Sequence, residues 1–486
     1  METSKPNIIF ILTDDQGAWA LNCAGNTDVK TPNLDRLAAQ GIMFNNFYCA
    51  SPVCSAARAS IVTGRMPSAH GIHDWLNGGS VDTDKYPNMK DSPQFKKPDK
   101  AIEYLEGQNT YIEELAKNGY TCALSGKWHL GNNALAKPGF TKWFALGHGG
   151  CSYRDADICE NGEFFRSHEY VTDTITNRAL EFLEEFKEDA NKPFYLSVHY
   201  TAPHTPWEAK EHPEEYINLY SDCEFNATPI LPVHKNQINT CAVGDTMAKR
   251  RECLTGYYAA ISAMDYNVGK ILDFLENNSM LENTAIIFTA DNGMNLGQHG
   301  VWGKGNGTYP PNMYDSSVKV PFIISGPFIK NENSVCNLAA SHFDIFQTIL
   351  DIAHVDYKNN EFQPGHSFYP ALTGENLEEN NVYMFDEYGF VRMIRSDKYK
   401  LVYRYGNFEC ELYDLGADPD ETVNLYNNEE YLEIQNDLKS QLEDWFTKYT
   451  CEKFDGHLLP LTGRGQFDWC FNNPAFTQDV KFYHKK

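Results

Sequence analysis

The sequence predicts an α/β protein: a large mixed, mostly parallel sheet sandwiched by helices, with a small C-terminal α+β domain built on an antiparallel sheet. Three observations predict it. Strand-like and helix-like segments alternate from residue 6 to about residue 355, the rhythm of a parallel sheet covered by helices. Four apolar strands, 7–13, 121–125, 194–200 and 284–290, are each followed closely by polar residues capable of chemistry. After Pro370 the character changes, and the short segments 382–385, 391–394, 400–405 and 410–413 read as antiparallel strands. Residues 1–372 are therefore expected to form the main domain and residues 373–486 the C-terminal subdomain.

The elements follow in order. Ile8 to Leu12 is an unbroken apolar run, as a strand covered on both faces needs. Thr31-Pro32 opens a helix with a cap residue and a proline in the first turn, and Gly41 closes it. The polar, proline-bearing stretch 80–100 reads as a long surface loop. Thr110 with Glu113 makes a capping box ahead of Leu115 and Ala116, in a helix that ends near Gly119. Residues 206–255 are mixed in character and read as a substrate-side insertion. Tyr258, Ile261, Val268, Ile271, Leu272 and Leu275 recur at helical spacing, so 257–277 is a core-packed helix. His342 and Asp344 precede another apolar helix and read as structural, and an amphipathic helix at 429–449 completes the C-terminal part.

Composition narrows the function. A chain of 486 residues buries a large core and a second, smaller one. The net charge of −25 argues against nucleic acid, whose phosphates want a basic face. It also gives no global pull on an anionic substrate, so any such affinity comes from local cations or a metal. Mean hydropathy is −0.50, and no apolar run approaches a membrane span. Met1 to Lys5 leads straight into a strand without an apolar leader, and thirteen scattered cysteines without a C-x-x-C pair suit reduced thiols. Both point to the cytoplasm.

The chemistry gathers at strand ends. Asp14 and Asp15 follow the first apolar strand, Lys127 and His129 the second, His204 the third, and Asp291 and Asn292 the fourth. Ligands of open α/β sheets bind beyond the carboxyl ends of the strands, so four strands deliver polar groups to one edge. Three carboxylates and an amide oxygen there suit a hard divalent cation. A single acidic pair after a strand is more often a helix cap or a loop residue; two such pairs together are not.

Cys54 carries the most specific signal. It stands in Ser51-Pro52-Val53-Cys54-Ser55-Ala56-Ala57-Arg58, with Thr63-Gly64-Arg65 following. This resembles the type I sulfatases of the alkaline phosphatase superfamily. The resemblance runs on through Gly126-Lys127-Trp128-His129, Pro203-His204-Thr205-Pro206, Asp291-Asn292-Gly293, Gly303-Lys304-Gly305 and Val318-Lys319-Val320-Pro321, to Glu411-Leu412-Tyr413-Asp414 and Asp418-Pro419-Asp420-Glu421. It implies an alkaline-phosphatase-like fold and a sulfuric ester hydrolase acting on sulfate monoesters, most often on a carbohydrate. It implies a formylglycine made from Cys54 by a maturation enzyme, and Ala56 resembles sequences matured by an anaerobic radical enzyme, which suggests an anaerobic bacterium.

The resemblance also assigns roles. Asp14, Asp15, Asp291 and Asn292, with the modified Cys54, are implied ligands of Ca2+, with Mg2+ as the other candidate. Cys54, Arg58, Lys127, His129, His204 and Lys304 are the implied catalytic residues, and Lys127, His204, Lys304 and His299 the implied substrate contacts. Lys127 and Lys304 would hold sulfate oxygens, Asp291 would assist attack, His204 or Lys304 would protonate the leaving alcohol, and His129 would act as the base that frees sulfate. His73, Asp74 and Trp75 are placed either at the pocket or in ordinary loop packing. The alternative within the superfamily is a formylglycine-dependent phosphonate monoester hydrolase or phosphodiesterase. An idle glycan-binding protein would need a broken site, and every expected position is intact.

Overall fold

The apolar runs fold as the strands of one sheet. The computed structural model describes residues 5–92, 99–189, 191–378, 380–384, 390–459, 464–477 and 480–484. Among them the main sheet comprises β1 (Asn7–Thr13), β2 (Gly41–Phe44), β3 (Thr121–Gly126), β4 (Phe140–Leu146), β5 (Ala156–Glu160), β6 (Glu163–Ser167), β7 (Phe194–His199), β8 (Thr284–Ala290), β9 (Phe322–Ser325) and β10 (Ser334–Cys336). Their order is β10-β2-β9-β8-β1-β7-β3-β4-β5-β6. The five strands from β8 to β4 run parallel. Antiparallel pairing enters on both sides, with β9 between β8 and β2 and with β5 between β4 and β6.

The central strand shows why the run is unbroken. Ile8, Phe10 and Leu12 pack into one core, and Ile9 and Ile11 into the other, because successive side chains point to opposite faces. Helices α2 (Cys54–Thr63), α3 (Tyr111–Lys117) and α6 (His342–Ile352) cover the first face, and α1 (Pro32–Ala39), α4 (Val171–Lys187) and α5 (Met247–Asn277) the second. The Thr110–Glu113 capping box is present as expected. His342 is held structurally: its Nε2 donates to the Ala290 carbonyl at 3.1 Å, and its Nδ1 accepts from Ala50 N–H at 3.3 Å.

Two expectations change. The helix after Thr31 ends at Gln40, and Gly41 opens β2 instead of closing the helix. An ideal Cβ on Gly41 would lie 2.1 Å from the Ile324 carbonyl oxygen, so strand pairing decides this glycine. The long helix begins at Met247, not at 257, and the Thr246 side chain accepts from Lys249 N–H at 3.2 Å to cap it.

The second sheet is antiparallel, in the order β11 (Val382–Met384), β12 (Val391–Arg395), β13 (Tyr399–Arg404), β14 (Glu411–Asp414). The expected strand position Phe385 lies outside the described residues. Helix α7 (Leu432–Tyr449) lays Leu438, Leu442 and Phe446 on Ile394, Leu401 and Leu412. The same cluster takes in Ala50, Met66 and Phe343, so this layer packs against the main unit. Among the described residues no helix is long and apolar enough to cross a membrane.

Candidate active site

The strand order sets the site. Because β8, β1, β7 and β3 are neighbours, the residues that follow them meet at one end of the parallel core. Cys54 joins them as the first residue of α2, whose ten residues are all buried. Gly64 ends that helix in the left-handed region at φ 66°, its N–H donating to the Ser60 carbonyl at 2.8 Å. Asp15 at φ 61° and His129 at φ 60° also occupy the left-handed region, an uncommon conformation for side-chain-bearing residues and one that gathers at functional sites.

The side chains interlock. Arg58, 2% exposed, donates from Nε to Asp291 Oδ2 at 2.8 Å and from Nη1 to the Lys127 carbonyl at 3.0 Å. Lys127 Nζ pairs with Asp14 Oδ2. Lys304 Nζ reaches Asp15 Oδ1 at 2.6 Å, and Asn292 Nδ2 donates to the same oxygen at 2.8 Å. Asp15 N–H donates to Asp291 Oδ1 at 3.2 Å. His204 Nε2 lies 3.7 Å from Asp15 Oδ2 and keeps 24% of its side chain exposed, so it stands at the open side of the cluster.

His129 connects the cluster to Cys54. Its Nε2 is 2.9 Å from the Leu76 carbonyl, which only accepts, so Nε2 carries the proton. Its Nδ1, 3.5 Å from Cys54 Sγ, then presents a lone pair to residue 54. Burial, and next Lys127, hold His129 well below the usual histidine pKa, which keeps that lone pair free. Leu76 is itself fixed, because its N–H donates to Ser55 Oγ at 3.0 Å. The neighbour of Cys54 in the signature thus steadies the carbonyl that orients His129.

The electrostatics divide the acids. Burial alone would protonate Asp14, but Lys127 and then His204 outweigh it and hold its carboxyl below the usual range. Asp15 is likewise lowered, burial being overcome by Lys304 and His204. Asp291 is raised by burial and by Asp14. Burial raises the Cys54 thiol above its ordinary pKa even though Lys304 and Lys127 favour the thiolate.

The donor set fits a hard cation. Asp14 Oδ1 and Asn292 Oδ1 are buried acceptors without a hydrogen-bond donor among the described residues. Such atoms are rare unless an ion or water serves them. Donor atoms of Asp14, Asp15 and His204 lie within 4.8 Å of one another. Both oxygens of Asp291 already accept a hydrogen bond, from Arg58 and from Asp15 N–H.

Other expected residues fall elsewhere. His299 stacks on Tyr314 with ring centroids 3.7 Å apart and lines a cavity of about 590 Å3 with Trp19, Lys319 and Asp420. Among the described contacts none ties it to the acidic cluster. Burial, then Lys400, lowers its pKa to about 4. His73 and Asp74 hold the C-terminal tail: His73 Nε2 donates to the Phe454 carbonyl at 2.8 Å, and Asp74 accepts from Gly465 N–H.

Sequence reasoning missed three parts of the site. His199, at the end of β7, donates from Nδ1 to the Lys127 carbonyl at 3.1 Å. The Leu76 carbonyl orients His129. The turn after β4 passes between the two histidines: an ideal Cβ on Gly149 would lie 2.0 Å from His129 Nε2, and one on Gly150 would lie 3.6 Å from His204 Cε1. The Gly149-Gly150 pair was a signal, but β4 itself was not read as a strand.

Comparison with known proteins identifies the family. Residues 6–355 match the sulfatase family, and residues 297–448 match the family of N-sulphoglucosamine sulphohydrolase C-terminal domains. N-acetylglucosamine-6-O-sulfatase of Bacteroides thetaiotaomicron is 28% identical, over 92% of this chain and 87% of that protein. A solved structure in complex with its substrate, D-glucosamine-2-N,6-O-disulfate, superimposes with a TM-score of 0.75 at 26% identity, over 93% of this chain and 99% of that one. The phosphonate monoester hydrolase of Agrobacterium radiobacter shares the fold, with a TM-score of 0.71 at 20% identity over 91% of this chain and 96% of that one.

Proposed function

The chain belongs to the sulfatase family, and from that premise we propose that it hydrolyses sulfate monoesters of carbohydrates through a formylglycine made from Cys54. The observation that carries this reading is the lone pair of His129 Nδ1, aimed at residue 54 at the start of a buried helix. The raised thiol pKa supports the need for conversion, since a protonated thiol is a poor nucleophile. The sulfated amino sugars named for one relative and for one solved complex support a carbohydrate substrate.

Asp14, Asp15, Asp291 and Asn292, with residue 54, are the proposed holders of a divalent cation. Calcium is the first choice and magnesium the second, since both take oxygen donors. Three carboxylates here meet three cations, Arg58, Lys127 and Lys304, so two further charges make the site attractive to an anion. When bound, the metal supplies that charge and polarises a sulfate oxygen. Formylglycine at residue 54 would supply a hydrated aldehyde, one hydroxyl of which would attack sulfur as the bond from sulfur to the alcohol oxygen breaks, with Asp291 taking that hydroxyl's proton.

The chain's own residues do the rest. Lys127 and Lys304 hold sulfate oxygens as point charges. Arg58 fixes Asp291 and the Lys127 carbonyl, and so the frame around residue 54. His204, at the open side, gives its proton to the leaving alcohol oxygen, with Lys304 as the other candidate donor. His129 Nδ1 would take the proton of the residue 54 hydroxyl that remains, so that its C=O bond reforms while the C–O bond to sulfate breaks and sulfate leaves. His299 is the least supported substrate contact, because its stacking on Tyr314 sets it apart from these groups.

We assign the catalytic unit to residues 1–372 and the C-terminal subdomain to 373–486, supported by the separate antiparallel sheet. Thirteen free thiols support a reducing, cytoplasmic setting, and Cys54 with Ala56 supports an anaerobic maturase as partner. The test is co-expression with such a maturase and assay of sulfated sugars beside phosphonate monoesters and phosphodiesters. Sulfate release abolished by Cys54→Ala is the expected result. Preference for phosphorus esters moves the protein to the alternative, and activity that survives in Cys54→Ala overturns the mechanism.

A further inference from the structure

The loop that carries Lys304 is held by buried amide side chains. Gln237 and Asn295 are fully buried, and Asn312 is 3% exposed. Each takes a different carbonyl of the loop. Gln237 Nε2 donates to the Trp302 carbonyl at 2.7 Å, and Asn295 Nδ2 to the Gly303 carbonyl at 2.8 Å. Asn312 Nδ2 donates to the carbonyls of Lys304 at 3.3 Å and Gly305 at 3.1 Å. The consecutive carbonyls of 302–305 are thus all engaged.

Gln237 differs from the other two. Its Oε1 also accepts from Trp302 N–H at 2.9 Å, so it grips both backbone groups of the residue two before Lys304. Asn295 stands 8 residues from Gly303, and Asn312 stands 8 from Lys304, so both belong to the ends of the loop itself. Gln237 comes from 65 residues away, in the 206–255 segment. That segment lies close against the loop: Gly303 has φ 128°, and an ideal Cβ on it would lie 3.0 Å from Thr240 Oγ1.

The clamp is itself braced on two sides. Ile238 N–H donates to the Gly307 carbonyl at 2.9 Å, and Tyr309 N–H to the Asn236 carbonyl at 3.1 Å. From the chain's tail, Tyr483 N–H donates to the Gln237 carbonyl at 2.9 Å, and the Lys481 carbonyl accepts from Asn239 N–H at 3.0 Å. Residues 236–239 therefore run between the far end of the loop and the tail, which fixes the backbone from which the Gln237 amide extends.

Lys304 Nζ reaches Asp15 Oδ1 at 2.6 Å from the end of a flexible four-carbon stem. The ammonium keeps its place only if the backbone behind it is fixed. We infer that Gln237 is a positioning residue for Lys304, clamping Trp302 so that the ammonium stays at the acidic cluster. The inference rests on the role proposed for Lys304 in the preceding section.

It is tested on the matured enzyme by kcat/KM for sulfate release. The variants are Gln237→Met, Gln237→Asn, Lys304→Ala, and each Gln237 variant combined with Lys304→Ala. Methionine keeps the length and removes both bonds to Trp302. Asparagine keeps an amide at the buried position, which favours folding, but is one methylene too short to grip both groups. Gln237→Met is expected to lower kcat/KM by roughly a hundredfold, the scale of a displacement of about 1 Å, and Gln237→Asn by about tenfold. In the Lys304→Ala background either substitution should change kcat/KM by less than about twofold, because the group it places is gone. A residue that only supports the fold would lower both backgrounds alike. Equal losses in both backgrounds, or wild-type activity in both Gln237 variants, overturn the positioning role and leave the sulfatase reading standing. Wild-type activity in Lys304→Ala overturns the role of Lys304, and the inference with it.

Discussion

An ideal Cβ on Gly149 falls 2.0 Å from His129 Nε2, the atom that donates to the Leu76 carbonyl. The ring lies between that carbonyl and the glycine, and this placement turns Nδ1 towards residue 54. Alanine at 149 forces the imidazole to move, and a displacement of about 1 Å from productive geometry costs roughly a hundredfold in rate. Gly149→Ala in the matured enzyme is thus expected to lower kcat by that order. The loop is not in the left-handed region at this residue, so far-ultraviolet circular dichroism and melting temperature should stay near those of the wild type. A variant with full activity would show that the ring has room to spare. The same constraint explains why this part of the site was not legible in the sequence. A glycine that makes space for a distant ring looks like any turn glycine, and the Leu76 carbonyl carries no side-chain signal at all.

At the scale of elements, legibility followed burial. β1, β3, β7 and β8 are buried along nearly their whole length and announce themselves as apolar runs, so the residues that follow them could be read as one edge. β5 and β6 were missed because Glu160, Glu163, Arg166 and Ser167 interrupt them near the sheet margin. β2, β9 and β10 span three or four residues each, too few for a periodicity to show. The start of α5 was hidden by Lys249, Arg250, Arg251 and Glu252, which read as loop. A cap supplied from far away is equally silent. Thr31 looks like the cap of α1, but its side chain makes no cap bond, and Asp265 of α5 accepts from Asn33 N–H at 3.1 Å and Leu34 N–H at 2.8 Å instead. Asp265→Ala strips both donors of their partner at a buried helix start. It is expected to cost about 1–2 kcal/mol in urea unfolding, the scale of a lost N-cap, whereas Thr31→Val should cost less. The reverse ranking would return the cap to Thr31.

For the molecule as a whole, the question is what locks the C-terminal sheet to the rest of the fold. Lys400 of β13 is fully buried and lies between Asp315, at 2.8 Å in the segment that follows the Lys304 loop, and Glu421. Glu421 Oε2 also accepts from Asp315 N–H at 2.7 Å. One ammonium thus serves two carboxylates from separate parts of the chain. Lysine to methionine keeps most of the volume but leaves two buried acids facing each other, and losing one partner of a buried ion pair costs about 3–5 kcal/mol. The pH dependence distinguishes this from simple loss of packing. Without the ammonium, one carboxyl must hold a proton in the folded state, so its folded pKa rises above its unfolded value. The folded state then binds more protons than the unfolded state, and stability falls as pH rises through that window. In the wild type the ammonium offsets only part of this: burial still raises Glu421 to about 7, while Lys400 holds Asp315 below the usual carboxylate range despite its burial. The deficit of Lys400→Met against the wild type, measured by urea unfolding, should therefore be larger at pH 8 than at pH 5. Adding Glu421→Gln to Lys400→Met removes one of the two acids and should recover part of the loss at pH 8 but little at pH 5. A deficit independent of pH would mean that the lysine holds the sheet by packing alone.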